Sequence, residues 1–312
     1  MKDRLVTLIG GGGFLGRYVA QELYRAGARV RIAQTRPRDA WFLKTQGGLG
    51  QTQFAATDTT RADSVARAIE GSDLVVNLAG TFGSAMQKVH VDGARNVAEA
   101  ARNAGATALV HISAIGADSD SDSAYGRSKA QGEQAVLGAF PNATILRPSV
   151  MFGREDAFVN RFAGLIAAAP VVPVLRGEAR FQPAYVADVA AAVVKAIEDP
   201  ATYGGHLYEL GGPDVVTMAE LHRWIAATIG RPDRFVALPD ALGGLIATFG
   251  ALPGAPITRD QWLMLQHDNV AAAGSEGFAA FGITPTPLAT VAPAWLVRFR
   301  RHGRFGRLGA AA

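Results

Sequence analysis

Three side chains near the middle of the chain have the types and the spacing needed to move a proton. Tyr125 and Lys129 are four residues apart, which places both on one face of a helix, and Ser113 follows a short apolar run. An ammonium group close to a phenol favours the phenolate, so we expect Lys129 to lower the pKa of Tyr125 towards neutral pH. Ser113 could hydrogen-bond the carbonyl oxygen of a substrate. The spacing therefore predicts acid–base chemistry with these three as catalytic residues.

A run of glycines near the N-terminus could bind a phosphate group. Gly10, Gly13 and Gly16 have the spacing GxxGxxG, directly after an apolar run and at the start of a helical pattern. A turn this tight needs residues without Cβ, so that the backbone can approach a pyrophosphate, and the helix N-terminus offers free N–H groups. This context predicts a dinucleotide site rather than a merely flexible turn.

The end of the second predicted strand indicates which dinucleotide would bind. Sites for NAD usually carry Asp or Glu there, because a carboxylate bonds the ribose 2′-hydroxyl. Residues 33–38 read AQTRPR, with two arginines and no acid, and Arg17 follows the glycine loop. Guanidinium groups suit a 2′-phosphate through paired, charge-assisted hydrogen bonds. We therefore expect NADP(H) rather than NAD(H), the alternative being that Arg36 and Arg38 are solvated loop residues.

Alternating strands and helices would position these side chains. The predicted strands cover residues 5–9, 29–33, 52–55, 74–78, 108–112 and 144–146. The predicted helices between them cover residues 14–26, 64–70, 90–104 and 128–140. Strands that alternate with helices in this way indicate βαβ units. The predicted fold class is α/β, a Rossmann-type doubly wound parallel sheet.

Beyond residue 153 the alternation is looser. Helices are predicted over residues 158–169, 189–198 and 218–229, and a strand over residues 206–210. We expect an NADP-binding Rossmann core over residues 1–153 and a smaller C-terminal α/β portion over residues 154–297, interleaved with the core. This portion would bind a substrate or partner and lie over the carboxyl ends of the sheet strands, where ligands of open α/β sheets bind. A basic tail covers residues 298–312.

Composition excludes several classes of protein. The chain has 312 residues, of which 49% are hydrophobic and 19% charged, a balance that excludes a disordered or collagen-like chain. Cysteine is absent and the histidines lack metal-ligand spacing, so we expect no disulfides and no metal site. Apolar residues 162–175 and 241–253 are too short or too broken by Pro and Gly to span a bilayer. With no secretory cleavage site near the N-terminus, we expect a cytoplasmic protein.

Basic residues accumulate at the end of the chain. Five arginines stand there without an acidic neighbour, and they exceed the whole formal net charge of +4; they are Arg298, Arg300, Arg301, Arg304 and Arg307. Such a tail suits an anionic surface on the inner face of the cytoplasmic membrane, or an acidic partner, while the alternative is a solvated terminus. We expect no specific nucleic-acid binding, because no recognised module accompanies the arginines.

Together, these motifs resemble those of the short-chain dehydrogenase/reductase superfamily, in its extended or atypical branch. The motifs concerned are the glycine loop, Asn77-Leu78-Ala79-Gly80, Ser113, Tyr125 with Lys129, and Leu146-Arg147-Pro148. A second set resembles, more narrowly, the family of accessory subunit nine of the alpha subcomplex of respiratory complex I and its bacterial relatives. This second set comprises residues 13–19, 49–51, 147–149, 152–156 and 257–260.

The resemblance implies a Rossmann-fold protein that holds NADPH as a structural or sensing ligand and serves complex I as a structural or assembly subunit. The glycines of the loop would meet the pyrophosphate, two arginines the 2′-phosphate, an aspartate the adenine, and the tyrosine and lysine the nicotinamide ribose. The cofactor-binding residues implied in this way are Gly10, Gly13, Phe14, Leu15, Gly16, Arg17, Arg36, Asp58, Leu78, Ala79, Gly80, Tyr125, Lys129, Pro148 and Ser149. Pro148 and Ser149 would flank the nicotinamide.

The complete set of Ser113, Tyr125 and Lys129 keeps a second function open. The chain could be an active NADP-dependent oxidoreductase or an epimerase/dehydratase that acts on a small carbonyl or sugar substrate. Hydride would pass between the nicotinamide and a carbinol carbon, with Tyr125 as the acid and base. A third reading is a redox-sensing regulator whose affinity for a protein partner changes with the redox state of the nucleotide.

Overall fold

The computed structural model describes residues 1–250 and 257–305, so parts of the apolar stretch 241–253 and of the basic tail, including Arg307, lie outside the described residues. The chain forms two compact units. The first unit contains Met1–Pro148, Val186–Leu210 and Ala272–Thr284. The second contains Ser149–Tyr185, Gly211–Ala271 and the chain from Pro285 on. The predicted division at residues 153 and 297, and the predicted placement of the C-terminal portion, stay predictions.

A seven-stranded sheet forms the centre of the first unit. Its strands are β1 (Leu5–Ile9), β2 (Arg29–Gln34), β3 (Thr52–Ala56), β4 (Leu74–Asn77), β5 (Ala108–Ile112), β6 (Thr144–Pro148) and a seventh strand, Leu207–Leu210. All neighbouring strands are parallel, in the order seventh strand–β6–β5–β4–β1–β2–β3. The predicted parallel α/β sheet is therefore confirmed. The strand order reverses between β1 and β4, which is the point where open α/β sheets bind ligands.

Helices cover both faces of this sheet. They are α1 (Phe14–Arg25), α2 (Ala62–Ile69), α3 (Gly93–Asn103), α4 (Ala124–Ala139) and the helix Val186–Glu198. The first and last of these pack against each other, while α3 packs against both α2 and α4. Because helices cover both faces, the residues of β1, β4 and β5 are buried throughout, whereas every residue of the edge strand β3 is partly or fully exposed.

Helix α4 begins four residues earlier than predicted, at Ala124 rather than at residue 128. Ser123 is its N-cap, and the Ser123 hydroxyl accepts a hydrogen bond of 2.9 Å from the Gly126 N–H. This bond satisfies one of the amides that a helix start leaves without an intrahelical partner. Tyr125 and Lys129 therefore both lie within the helix, in its first two turns.

The helix predicted over residues 90–104 is two elements. A π-helical turn over Lys88–Asp92 leads into α3, which begins at Gly93. This wider turn lies against α4 at Gly132, where a Cβ atom would be 2.2 Å from the carbonyl oxygen of His90. A glycine at position 132 is thus what allows the turn to approach α4 so closely.

The second unit contains shorter elements. Its strand pairs are Met151–Phe152 with Ala184–Tyr185, Val172–Leu175 with Phe235–Leu238, and Arg180–Phe181 with Val216–Thr217. Its longer helices are Val159–Ala168, Met218–Ile229 and Asp240–Thr248. The helix Met218–Ile229 has the predicted bounds, because a capping box starts it and left-handed Gly230 ends it. Within residues 1–250 and 257–305, no helix is long and apolar enough to cross a membrane.

Candidate functional site

The glycine loop lies at the point where the strand order reverses. Gly10 follows β1 with a φ of +78°, a left-handed conformation that favours glycine. A Cβ atom on Gly10 would be 3.2 Å from the Ala79 nitrogen, so the loop after β1 touches the loop after β4. The structure therefore brings together two predicted cofactor-binding segments, Gly10–Gly16 and Leu78–Gly80.

The start of α1 is packed against the backbone of the same loop. A Cβ atom on Gly16 would be 2.3 Å from the carbonyl oxygen of Gly11, which leaves no room for a side chain. Helix α1 begins at Phe14, and Gly13 at its N-cap has no side chain with which to cap it. The amides of Phe14, Leu15 and Gly16 are those of the first helical turn, which has no intrahelical acceptors and attracts anions. The geometry fits a pyrophosphate.

Gln34, at the end of β2, connects the glycine loop to the next loop. Its Oε1 atom accepts a hydrogen bond of 2.9 Å from the Gly12 N–H, and its Nε2 atom donates one of 2.7 Å to the Arg36 carbonyl oxygen. Sequence reasoning did not assign Gln34 to the site. The available signal was its position, because the end of β2 is where NAD sites carry an acid. A neutral amide takes that place here.

The predicted 2′-phosphate arginines are arranged differently from one another. The Arg17 guanidinium lies over the Phe42 ring, with its Cζ atom 4.9 Å from the ring centroid. Arg36 is exposed, and its Nε atom is 3.3 Å from Oδ2 of Asp39. Exposed pairs of this kind contribute little and exchange readily with other ions. The Arg36 guanidinium can thus meet an anion without breaking a buried interaction.

Asp58 lies in the turn between β3 and α2. Its Oδ1 atom accepts hydrogen bonds from the Thr60 N–H and hydroxyl, at 3.0 and 2.8 Å. The Asp58 N–H donates to the Ser64 hydroxyl at 3.0 Å. These bonds explain the turn by local geometry, and the contact of Asp58 with an adenine stays a prediction.

Asn77 shapes the loop after β4. Its Oδ1 atom accepts a hydrogen bond of 3.1 Å from the Ala79 N–H, and its amide nitrogen is 3.1 Å from Nδ1 of His111. Because the Asn77 nitrogen can only donate, His111 Nδ1 is the acceptor and this imidazole is neutral at that atom. Burial, and secondly Lys129, lower the pKa of His111 well below its usual value. His111 is thus a buried support of the loop.

The Lys129 side chain reaches the backbone next to Ser113 at the end of β5. The Lys129 ammonium donates a hydrogen bond of 2.7 Å to the carbonyl oxygen of Ile112, the residue before Ser113. The Ser113 hydroxyl is buried and, among the residues that the structure describes, has no hydrogen-bond partner. Buried hydroxyls are normally paired, so an orphaned one at a strand end fits a ligand oxygen. Burial lowers the pKa of Lys129 to about 8, although Glu133 opposes it.

Tyr125 is half-buried between two rings. Its ring stacks on Phe82, with centroids 4.9 Å apart and planes at 17°, and meets the edge of His90 at 5.6 Å. Burial raises the pKa of Tyr125 to about 12. The prediction that Lys129 lowers this pKa is therefore wrong for the protein alone. The physical reason is that burial of the phenol dominates, while the ammonium is bonded to a backbone carbonyl.

An ion-pair cluster holds α4 against the sheet. Arg147 on β6 forms a two-pronged bond to Glu133 on α4, at 2.8 and 2.7 Å, and its Nη1 atom is 3.4 Å from Glu209 on the seventh strand. Paired geometry of this kind fixes orientation as well as distance. The cluster therefore fixes the helix that carries Tyr125 and Lys129, a role that sequence reasoning missed.

Pro148 is the last residue of β6 and Ser149 follows it, and the two residues have different hydrogen-bond partners. The Pro148 carbonyl oxygen accepts a hydrogen bond of 3.1 Å from Ile115, in the first unit. The Ser149 hydroxyl donates at 2.7 Å to Oδ1 of Asn269, in the second unit. Their contact with a nicotinamide stays a prediction. Across residues 1–250 and 257–305, no group of three or more His, Asp or Glu side chains could hold a metal ion.

Comparisons with known proteins agree with this geometry. The sequence profile of the NAD dependent epimerase/dehydratase family matches residues 6–211. NADH dehydrogenase (ubiquinone) 1 alpha subcomplex subunit 9 of Mus musculus is 35% identical over 293 residues, which are 91% of this chain and 77% of that protein. Ceramide reductase of Caulobacter vibrioides is 32% identical over 268 residues, 81% of this chain and 80% of that protein.

A solved structure shares the fold. The NADPH-dependent quinone oxidoreductase QOR2 of Escherichia coli, complexed with NADPH, superimposes with a TM-score of 0.76. The superposition covers 93% of this chain and 99% of that one, at 21% sequence identity. At that identity the likeness concerns the fold alone, which is the one that the sheet order indicates.

Proposed function

Because this chain belongs to the NAD dependent epimerase/dehydratase family of short-chain dehydrogenase/reductase proteins, we propose that it is a nucleotide-binding subunit of respiratory complex I, with NADP(H) as its nucleotide and a structural or assembly role. The similarity to subunit 9 carries the proposal, since it extends over 91% of this chain rather than over the glycine motif alone. A shared dinucleotide fold by itself would not indicate a partner.

The choice of NADP(H) over NAD(H) is supported by the end of β2. Gln34 is neutral and uses both ends of its amide in hydrogen bonds. Exposed Arg36 and ring-supported Arg17 supply positive charge, which suits a 2′-phosphate. We expect Arg36→Glu to weaken NADPH binding relative to NADH binding. An unchanged preference in a titration would show that the 2′-phosphate binds elsewhere.

A structural role is supported by the state of the tyrosine and lysine. Burial raises the pKa of Tyr125 to about 12, far from a working proton donor and acceptor at neutral pH. The Lys129 ammonium is bonded to the Ile112 carbonyl oxygen, and its pKa is lowered to about 8. Both side chains can still bond ribose hydroxyls and so hold a nucleotide without turning over a substrate.

A mild-detergent pull-down of the tagged full chain from membranes of its own host tests the proposal. Mass spectrometry of the eluate should find complex I subunits, and nucleotide analysis should find NADPH in stoichiometric amount. Arg36→Glu should co-purify with less NADPH, while Arg61→Glu, on the exposed turn before α2, serves as a charge-matched control. Elution of the protein alone would contradict the complex I role.

A second function, that of an active oxidoreductase, is favoured by one observation. The buried Ser113 hydroxyl is without a hydrogen-bond partner within the described residues, as expected of a group that waits for a substrate oxygen. The Caulobacter relative is a ceramide reductase, which makes a lipid ketone a reasonable first probe. NADPH would supply the hydride. Tyr125→Phe should then abolish carbonyl reduction and leave NADPH affinity within about threefold.

We also propose that the basic end of the chain contacts an anionic membrane surface on the cytoplasmic side. Arg298 and Arg304 lie over the rings of Phe299 and Phe305, which pairs charge with aromatic surface. Co-sedimentation should therefore be stronger with phosphatidylglycerol vesicles than with phosphatidylcholine vesicles. Equal sedimentation with both kinds of vesicle would show that binding of the tail does not depend on the charge of the membrane.

A further inference from the structure

His90 lies against Tyr125, on the π-helical turn before α3, at the reactive end of the site, which comprises Ser113, Tyr125 and Lys129. Its side chain is 2% exposed. Its ring meets Tyr125 edge to face, and its backbone touches α4 at Gly132. A buried imidazole needs hydrogen-bond partners for both nitrogens, and the identity of those partners fixes where its proton is.

The donor and the acceptor in both hydrogen bonds of the His90 ring follow from the chemistry of its partners. The Thr81 N–H is 3.0 Å from Nε2, and since an amide N–H only donates, Nε2 is the acceptor. A neutral imidazole with a lone pair on Nε2 carries its proton on Nδ1. The Nδ1 atom is 2.9 Å from the Ser128 hydroxyl oxygen, which can accept it because that hydroxyl donates at 2.9 Å to the Tyr125 carbonyl oxygen.

Every donor in this chain of hydrogen bonds therefore has one acceptor. These hydrogen bonds lead from the Thr81 amide through the His90 ring to Ser128, and from Ser128 to the backbone of Tyr125. Thr81 directly follows Ala79 and Gly80, which are predicted to line the nucleotide site. The hydrogen-bond series thus connects two walls of the candidate site, the loop after β4 and the first turn of α4.

We propose that His90 is a positioning residue that couples the loop after β4 to Tyr125, so that the nicotinamide end of the nucleotide site is built as one unit. The proposal rests on the proposed NADP(H) binding. It assigns to His90 a neutral ring protonated on Nδ1. Burial, and secondly Lys129, lower the pKa of His90 to about 4, which keeps the ring neutral at physiological pH.

The alternative is that His90 only fills space beneath Tyr125. A space-filling ring would serve equally well with either nitrogen protonated, and it would transmit nothing to the loop. Two substitutions separate these roles, because the Asn amide reaches the position of Nδ1 and the Gln amide reaches the position of Nε2. His90→Asn keeps a donor for Ser128 but loses the acceptor for the Thr81 N–H, and His90→Gln does the reverse.

NADPH titration of the full chain tests the coupling. His90→Gln keeps the acceptor for the Thr81 N–H but loses the link to Ser128, so it should bind NADPH about five- to tenfold more weakly although Gln fills nearly the volume of His. His90→Asn should bind about five- to tenfold more weakly, which is the loss expected when one buried amide loses its acceptor. His222 provides the matched control, because it is equally buried and its Nδ1 atom is 2.8 Å from the Met218 carbonyl oxygen in the second unit. His222→Asn and His222→Gln should leave NADPH affinity unchanged.

Nitrogen NMR of the histidine-labelled protein supplies a readout that does not depend on the nucleotide. The His90 signals, assigned from their absence in His90→Gln, should show protonation on Nδ1 alone at pH 7. Unchanged NADPH binding by His90→Gln would overturn the coupling, and so would protonation on Nε2. If the unsubstituted protein binds no NADPH, the proposed function fails. The NMR result then still decides whether the hydrogen-bond chain exists.

Discussion

The two ends of the candidate site are built in opposite ways. The phosphate end consists largely of backbone, and Gly16 lies where a Cβ atom would be 2.3 Å from the carbonyl oxygen of Gly11. The reactive end consists of side chains, with Tyr125 between two rings and a Ser113 hydroxyl that has no hydrogen-bond partner within residues 1–250 and 257–305. Tight backbone recognises what all dinucleotides share, whereas side chains decide what can happen to one. We therefore expect substitutions at the two ends to have different effects on stability and on nucleotide binding.

The largest effect is expected from Gly16→Ala at the phosphate end. The new Cβ atom would be 2.3 Å from the Gly11 carbonyl oxygen, so the loop or α1 must move. We expect a loss of about 3 kcal/mol or more in the free energy of unfolding, together with loss of NADPH binding. Chemical denaturation and titration measure the two effects.

Gly138→Ala is the control for that substitution, because Gly138 is exposed on α4 and has nothing within 4 Å of its Cβ position. A helical glycine in open space should be neutral or gain about 0.5–1 kcal/mol on replacement by alanine. Similar losses for both variants would mean that the glycine loop has no special steric requirement, and the comparison between the two ends would fail.

The next effect concerns the buried lysine of the reactive end. Burial lowers the folded-state pKa of Lys129 to about 8 from 10.5. Between these values the unfolded chain binds more protons than the folded one, so stability increases as the pH rises through this window. From pH 8 to pH 10 the increase should be about 2 kcal/mol. Lys129→Met should remove it, while Lys88→Met, at an exposed position, should retain it.

Urea denaturation of the three proteins at pH 7.5, 8.5 and 9.5 measures this dependence. The slope of stability against pH matters here rather than its absolute value, because Lys129→Met also removes the bond to the Ile112 carbonyl oxygen. The same slope for Lys129→Met and for the unsubstituted protein would show that the ammonium is not desolvated. The reactive end would then be more open than its burial indicates.

The fold also has two kinds of features, those that the local sequence predicts and those that depend on distant contacts. Regular periodicity and local caps are sequence signals, and they predicted the bounds of β1, of β5 and of the helix Met218–Ile229. The π-helical turn before α3 was missed because it depends on contact with Gly132, more than forty residues further along the chain. Nothing in the local pattern of residues 88–92 distinguishes a π turn from an α turn.

Prediction of the site shows the same limit. The glycine loop is a spacing motif, and the structure places Gly10 of this loop against Ala79, while the binding of a dinucleotide there stays a prediction. Gln34 and His90 were missed because their importance is in hydrogen bonds to Gly12 and Thr81, which only the folded chain reveals. The pKa of Tyr125 was predicted in the wrong direction because the spacing to Lys129 contains no information on burial.

A smaller effect is expected at Gln34, where the phosphate end meets the predicted position of the ribose. Gln34→Glu keeps the acceptor for the Gly12 N–H, loses the donor to the Arg36 carbonyl oxygen and adds a negative charge. We expect the preference for NADPH over NADH to fall by about tenfold, because the carboxylate repels the 2′-phosphate and suits a 2′-hydroxyl. Gln53→Glu, at an exposed position on β3, is the control. An unchanged preference in Gln34→Glu would remove Gln34 from nucleotide selection.

The smallest effect is expected where the reactive end meets solvent. Phe82 is 60% exposed yet stacks on Tyr125 at 4.9 Å, so it contributes packing with little burial of its own. A double-mutant cycle with Phe82→Leu and Tyr125→Leu should give a coupling of about 0.5–1 kcal/mol. A coupling near zero would mean that the Phe82 ring does not stabilise the Tyr125 ring. A coupling in the expected range would make the exposed loop after β4 part of the tyrosine's support, and side chains would then define the reactive end out to its surface.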